Sequence, residues 1–230
     1  MAGTLYAIPT PVGGTPADAL PASVLNTVRS LRDFVVENAK SARAFLAAVE
    51  MPAPLHSIGI VELKLDSDFK KLLHPLTEGR SLGLLSEAGC PAIADPGARL
   101  IEAAHRAGIR VVPLIGPSSI LLALMASGLE GQRFRFCGYL PKDKHGREVQ
   151  IRELERRSAR ERETQIFIET PYRNDSLLAS LLEVSSGKTR LCVATDLTLP
   201  TVQIQTRSIS SWRGARHAIG KRPTVFLLLA

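Results

Sequence analysis

Apolar residues fall along the first half of the chain in short runs, separated by stretches whose apolar spacing is helical. Leu5–Ile8 reads as a strand ended by Pro9-Thr-Pro11, Pro21–Arg32 as a helix, and Phe34–Glu37 as a second strand. Ser41–Val49 follows as a helix stopped by Met51-Pro-Ala-Pro54. A further helix covers Asp66–Glu78, then comes a strand at Ser81–Leu85. Pro96–Ala107 is helical with Gly108 just past its end, where a left-handed residue is favoured. Arg110–Leu114 is the next strand. Strands that alternate with helices predict crossover connections and a largely parallel sheet.

Beyond Gly116 the pattern changes. Ser118–Ser127 predicts an apolar helix, Arg133–Tyr139 a strand, and Arg147–Arg162 a helix that keeps most of its surface wet. Gln165–Glu169, Arg190–Ala194 and Thr224–Leu229 read as strands, with a helix at Asn174–Val184. Val202–Arg207 alternates polar and apolar residues, as a strand with one solvated face does. The expectation is an α/β protein of two α/β domains, residues 1–116 and 117–230.

Three turns of the first half carry the chemistry, because open α/β sheets bind ligands where strands end. Pro9-Thr-Pro-Val-Gly-Gly14 is stiffened by two prolines and is neither a P-loop nor GxGxxG, which counts against nucleoside triphosphates and dinucleotides. Ser86-Glu-Ala-Gly-Cys-Pro-Ala-Ile-Ala-Asp-Pro-Gly97 combines prolines that hold it still with glycines that let backbone approach a ligand. Asp95, a candidate contact in that loop, also stands where a helix N-cap is expected. In Pro113-Leu-Ile-Gly-Pro-Ser-Ser119, the hydroxyls and N–H groups of Ser118 and Ser119 suit either a helix cap or a ligand carboxylate.

Composition narrows the classes. A net charge of +7 and a pI near 9.7 favour a polyanionic partner. The positive charge concentrates at Lys142–Arg162 and again at Arg213, Arg216, His217, Lys221 and Arg222. In the first segment glutamates interleave, and Glu148–Arg152 has the i,i+4 spacing of an internal pair, so a solvated helix is the favoured reading over a phosphate contact. Cys90, Cys137 and Cys192 form no metal-ligand or disulfide pattern, and His56 and His105 lie apart. Trp212, the lone tryptophan, is too little for a base-stacking platform. The N-terminus has no basic flank of a signal peptide. No apolar run approaches the roughly 20 residues that span a bilayer. A cytoplasmic protein without membrane or metal is expected.

Taken in order, LYAIPTPVGG, LLSEAGCPAIADPG, VVPLIGPSSILLALMASGL, FCGYLP (Phe136–Pro141) and ETPYR (Glu169–Arg173) give the chain its resemblance to a known family. It resembles the tetrapyrrole methylase superfamily of S-adenosylmethionine-dependent methyltransferases, nearest the branch that methylates ribose 2′-oxygens of 16S ribosomal RNA. The resemblance implies two α/β domains with a cofactor cleft between them, a homodimer, and S-adenosyl-L-methionine as cofactor. It also implies an RNA partner, 16S ribosomal RNA or the small ribosomal subunit. By motif position Pro11, Val12, the Gly89-Cys90-Pro91-Ala92-Ile93 turn, Ser118, Ser119 and Ile120 would line the cofactor site. Thr170, Pro171 and Tyr172 would close over it.

Glu37, Lys142, Glu169, Tyr172 and Arg173 are the polar candidates for catalysis. Each has a plain alternative: Glu37 can end a strand in solvent, and Arg173 can pair with Glu169. The RNA branch carries Glu-Asp-Thr-Arg where this chain has Glu37-Asn38-Ala39-Lys40, and a His- and Asn-rich segment where it has Ser57–Leu63. Three readings follow: an RNA methyltransferase, a methyltransferase for a tetrapyrrole-like small molecule, and a cofactor-binding paralogue without catalysis.

Overall fold

The computed structural model describes residues 2–214 and 218–230, so Arg216 and His217 of the second basic group lie outside the described residues. The chain divides into unit 1, Met1–Ser118, and unit 2, Ser119–Ala230.

Unit 1 runs β1 (Thr4–Ile8), α1 (Pro16–Ala19), α2 (Ala22–Ser30), β2 (Asp33–Val36), α3 (Ala39–Ala48), β3 (Gly59–Glu62), α4 (Phe69–Thr77), β4 (Leu82–Leu85), α5 (Gly97–Arg106) and β5 (Arg110–Pro113). The sheet order is β3-β2-β4-β1-β5, with every pairing parallel. Side chains alternate across a strand, and the two cores follow that parity. Ile8, Phe34, Val36 and Leu85 pack with Val24, Val28, Phe45 and Leu46 of α2 and α3. Leu5, Val35, Leu82 and Leu84 pack with Leu73, Leu76, Leu100 and Ala104 of α4 and α5. Helices on both faces bury a parallel sheet, and β4 is accordingly buried along its whole length.

Unit 2 runs α6 (Ser119–Ser127), β6 (Phe134–Tyr139), α7 (Lys144–Glu161), β7 (Thr164–Ile168), α8 (Asn174–Val184), β8 (Arg190–Thr195), β9 (Gln203–Ser208), α9 (Ile209–Arg213) and β10 (Thr224–Leu229). Its sheet, β6-β7-β10-β8-β9, is mixed: β6 and β7 are parallel, and β10 is antiparallel to both β7 and β8. Phe167 and Phe226, paired across β7 and β10, stack with centroids 5.9 Å apart. They sit in a core with Ile151 and Leu154 of α7, Leu177 and Leu181 of α8, and Trp212 of α9. The indole of Trp212 donates to the Leu191 carbonyl at 2.9 Å, which satisfies its polar end.

Candidate functional site

Three strand ends of unit 1 lie side by side at the carboxyl edge of the sheet, since β4, β1 and β5 are neighbours and parallel. Their turns are stitched together. The Thr10 N–H donates to the Gly89 carbonyl at 2.9 Å, and the Gly89 N–H returns a bond to the Thr10 carbonyl at 3.1 Å. The Ser86 hydroxyl donates to the same Gly89 carbonyl at 2.9 Å. The third turn joins through the Cys90 thiol, which donates to the Pro117 carbonyl at 3.4 Å. Gly116 lies so close to Pro9 that a Cβ placed there would come within 2.4 Å of the proline Cβ. Gly89 adopts φ +76°, a conformation that favours glycine, with Val12 and Pro117 as its nearest neighbours. The structure therefore brings Val12, Gly89 and Cys90 together around Pro117. Thr10, Ser86 and Gly116, which hold the arrangement, carried no sequence signal beyond their place in the motifs.

Past Pro91 the loop takes two left-handed turns at non-glycine residues, Ala92 (φ 66°) and Ala94 (φ 68°), each costing about 1 kcal/mol or more. Asp95 offsets that strain. Both its carboxylate oxygens accept from the Ala92 N–H at 2.9 Å, and Oδ1 also accepts from the Gly97 N–H at 2.7 Å. The expected N-cap role holds only in part, because Pro96 occupies the cap position of α5 and Asp95 serves the loop as well as the helix. Burial pushes the Asp95 carboxyl above its ordinary range. The bonds from Gly97 and Ala92 pull against that rise, and the charge of Glu37 adds to it. Ile93 stays exposed and Pro11 half-exposed beside this framework.

Glu37 is exposed, yet its carboxylate is engaged: Oε2 accepts from the Glu87 N–H at 2.8 Å. Asn38 caps α3, accepting from the Lys40 and Ser41 N–H groups at 2.9 and 3.2 Å. Asparagine caps as well as aspartate, so this departure from the family pattern preserves the local structure. The segment Ser57–Leu63 contains β3, an exposed edge strand whose Glu62 accepts from the Ala39 N–H at 2.8 Å.

In unit 2, Ser119 opens α6 with Ile120 behind it, both half-buried. Glu169, only 5% exposed, closes the turn after β7. Its Oε1 accepts from the Thr170 N–H at 2.6 Å and from Arg173 Nε at 3.0 Å. Arg173 thus pairs with Glu169, as its plain alternative supposed. The turn ends at Pro171–Arg173 and projects Tyr172 outward. Lys142 is exposed beyond β6. Burial raises the pKa of Cys90, Cys137 and Cys192 alike, which keeps them as thiols.

Apart from the buried Arg147, the lysine and arginines of α7 meet acidic neighbours. Lys144 meets Glu148 and Glu183, Arg152 meets Glu148, Arg156 meets Glu153, Arg157 meets Glu163 and Arg160 meets Glu161. The helix is the self-paired, solvated one that its glutamates suggested. Among the described residues no three His, Cys, Asp or Glu side chains gather as metal ligands, and no helix is long and apolar enough to cross a membrane.

The family model for tetrapyrrole (corrin/porphyrin) methylases matches residues 17–211. Proteins named ribosomal RNA small subunit methyltransferase I are similar to the chain. That of Halalkalibacterium halodurans is 32% identical over 83% of this chain and 63% of its own length. The Bacillus subtilis protein is 31% identical over 85% and 64%, and the Xylella fastidiosa protein 34% identical over 85% and 69%. The chain thus spans just under two thirds of the first two relatives. In fold it resembles the crystal structure of the methyltransferase CobJ, with a TM-score of 0.66, 21% identity, and coverage of 99% of this chain and 94% of the other. The uroporphyrin-III-C-methyltransferase of Thermus thermophilus gives a TM-score of 0.59 at 17% identity, covering 100% and 93%.

Proposed function

We propose that this chain, which belongs to the tetrapyrrole methylase family, binds S-adenosyl-L-methionine on the joined turns of unit 1 and transfers its methyl group to RNA of the small ribosomal subunit. The observation that carries the reading is the stitching of three strand-end turns around Gly89 and Pro117. What they offer is neutral: the main chain of Cys90–Ile93 outside the bond that Ala92 makes to Asp95, and apolar flanks from Pro11, Val12 and Ile93. Such a surface suits an adenosyl group, whose ring edge bonds to main chain while its face lies on apolar side chains. When bound, the cofactor supplies a methyl group already activated on a sulfonium.

The chain's own contribution is alignment. Pro9, Pro11, Pro91 and Pro96 remove backbone freedom from the turns, so little entropy remains to be lost when the reactants are brought into line. Glu37 and Glu169 are committed to Glu87 and Arg173, and on this reading they position turns rather than carry protons. Support for RNA as the acceptor class comes from the names of the relatives and from the +7 charge. A ribose 2′-hydroxyl is the acceptor atom the resemblance favours, in a cytoplasmic homodimer.

Calorimetric titration with S-adenosyl-L-methionine and S-adenosylhomocysteine tests the first half. Both ligands are expected to bind with one site per chain, and absence of heat with either would overturn it. Transfer of labelled methyl from the cofactor to small-subunit RNA of a strain lacking this protein tests the second half. Label confined to small molecules would move the acceptor to the tetrapyrrole-like class.

A further inference from the structure

With the exposed basic side chains of α7 paired to carboxylates and its Arg147 buried, the carboxyl edge of the unit 2 sheet is better placed to meet a polyanion. There β6 and β7 run parallel, and Tyr139 pairs in register with Ile168. A tyrosine stands at the end of β6 and another in the turn beyond β7. Tyr139, at the end of β6, is 56% exposed, and Tyr172, beyond β7, is 80% exposed. The ammonium of Lys221 lies 5.0 Å from the centroid of the Tyr172 ring, and Lys142 follows three residues after Tyr139. Two of the chain's three tyrosines thus stand at one edge of one sheet, one with a lysine over its ring and the other with a lysine three residues further along the chain.

A single exposed ring on a loose loop would need no explanation. These rings stand on stiff mounts. Glu169 anchors the turn of Tyr172 from beneath. Asn174, fully buried, donates from its Nδ2 to the carbonyls of Gly220 and Arg222 at 3.3 and 2.7 Å. Asp175 accepts from the Ile219 N–H at 2.7 Å. The turn of Lys221 is therefore fixed to the first turn of α8. The turn after β6 is held by Arg147, 4% exposed, whose guanidinium donates to the Lys142 carbonyl at 3.0 Å and to the hydroxyls of Ser180 and Ser176 at 3.0 and 3.2 Å. All three partners are neutral, so a buried positive charge lies beneath Lys142.

The nearby carboxylates are committed. Asp143 accepts from Gly146 N–H, Glu169 holds Arg173, Asp175 holds Ile219, and Asp196 lies 3.7 Å from Arg222. The ammonium groups of Lys142 and Lys221 are left without an acidic partner among the described residues. Preorganised aromatic faces beside uncompensated cations are what single-stranded nucleic acid requires, because every base offers a π-face and every linkage a phosphate.

We infer that this edge is an acceptor platform on which Tyr139 and Tyr172 stack unpaired RNA bases while Lys142 and Lys221 meet the flanking phosphates. The two strands lie about 5 Å apart, close enough for neighbouring nucleotides of one segment to engage both turns. Tyr172 is thereby assigned to the acceptor and not to the cofactor. The inference rests on the proposed RNA acceptor and is independent of the cofactor site in unit 1.

The test is fluorescence anisotropy of a labelled unpaired oligoribonucleotide of about eight nucleotides titrated with the full chain at several salt concentrations. S-adenosylhomocysteine calorimetry and circular dichroism are run on the same preparations. Stacking is expected to contribute about tenfold in affinity per ring, so Tyr139→Ala with Tyr172→Ala should weaken binding roughly 100-fold. Tyr139→Phe with Tyr172→Phe should restore it. Lys142→Ala with Lys221→Ala should flatten the slope of log affinity against log salt by about 1.4. Throughout, the affinity for S-adenosylhomocysteine is expected to hold.

Wild-type RNA affinity in the double alanine variant would overturn the platform, as would equal binding of a duplex of the same sequence. A parallel fall in S-adenosylhomocysteine affinity with the fold intact would overturn the assignment of Tyr172. If wild-type protein binds the oligoribonucleotide as expected but no S-adenosylhomocysteine, the platform stands and the methyltransferase reading fails.

Discussion

In unit 1 the turns after β1 and β4 are joined by main chain against main chain, with side chains such as Ser86, Cys90 and Asp95 adding to the hold, whereas in unit 2 buried polar side chains carry most of it. Thr10 and Gly89 exchange two backbone bonds, and Gly116 presses on Pro9. Across the other sheet the corresponding turns depend on Glu169, Asn174, Asp175 and Arg147. Backbone stitching leaves few side chains to mutate but tolerates no added volume. Side-chain anchoring places the full cost of a turn on one buried polar group. The same location on a sheet can thus be rigid for two different physical reasons, and each has its own weak point.

The largest break should come at Asn174. Replacing it with alanine removes from a fully buried site the side chain that bonds the Gly220 and Arg222 carbonyls and the Thr224 hydroxyl, at a cost of about 2–3 kcal/mol. Urea unfolding followed by circular dichroism should show a lower midpoint at unchanged slope. Gly116→Ala comes next, at about 2 kcal/mol, because the new methyl meets a proline ring that cannot turn aside. Stability and S-adenosylhomocysteine affinity should fall together there, while the affinity of unit 2 for the oligoribonucleotide persists. A Gly116→Ala protein with wild-type stability would show that the turns can separate.

The smallest and sharpest probe is Asp95. Asp95→Ala loses the bonds to Ala92 and Gly97 and is expected to cost about 1–2 kcal/mol, whereas Asp95→Asn keeps Oδ1 and most of the loop. Burial raises this carboxyl, so between the ordinary aspartate range, near 4, and the raised value the folded chain holds a proton that the unfolded chain has released. Stability therefore declines with rising pH across that window. Asp95→Asn lacks this group, so the stability of wild type minus Asp95→Asn should fall as pH rises there and then level off. A flat difference would place the titration elsewhere.

Much of the architecture was legible because periodicity is a local signal. Asn174–Val184 and Thr224–Leu229 occupy the spans that their patterns predicted, and the buried run of β4 announced itself as apolar. Strand β3 escaped because Gly59–Glu62 is an edge strand that buries little of itself and shows no alternation. The short helices α1 and α9 have too few turns to display a period. The three motif turns were visible as candidates, but their stitching was not, since Cys90 and Pro117 are 27 residues apart. Asn174 likewise gave no sign that it reaches a turn 48 residues further on. Asn38 read as a loss in the sequence, and the structure shows it still doing a cap's work.

The burial of Trp212 has a practical consequence. The chain's single indole is sealed in the core of one unit only. Its emission will report the melting of that unit and stay silent about the other, while far-ultraviolet ellipticity senses both. Superimposable transitions from the two signals would mean that the halves unfold as one cooperative body, and separated transitions would give each half its own free energy.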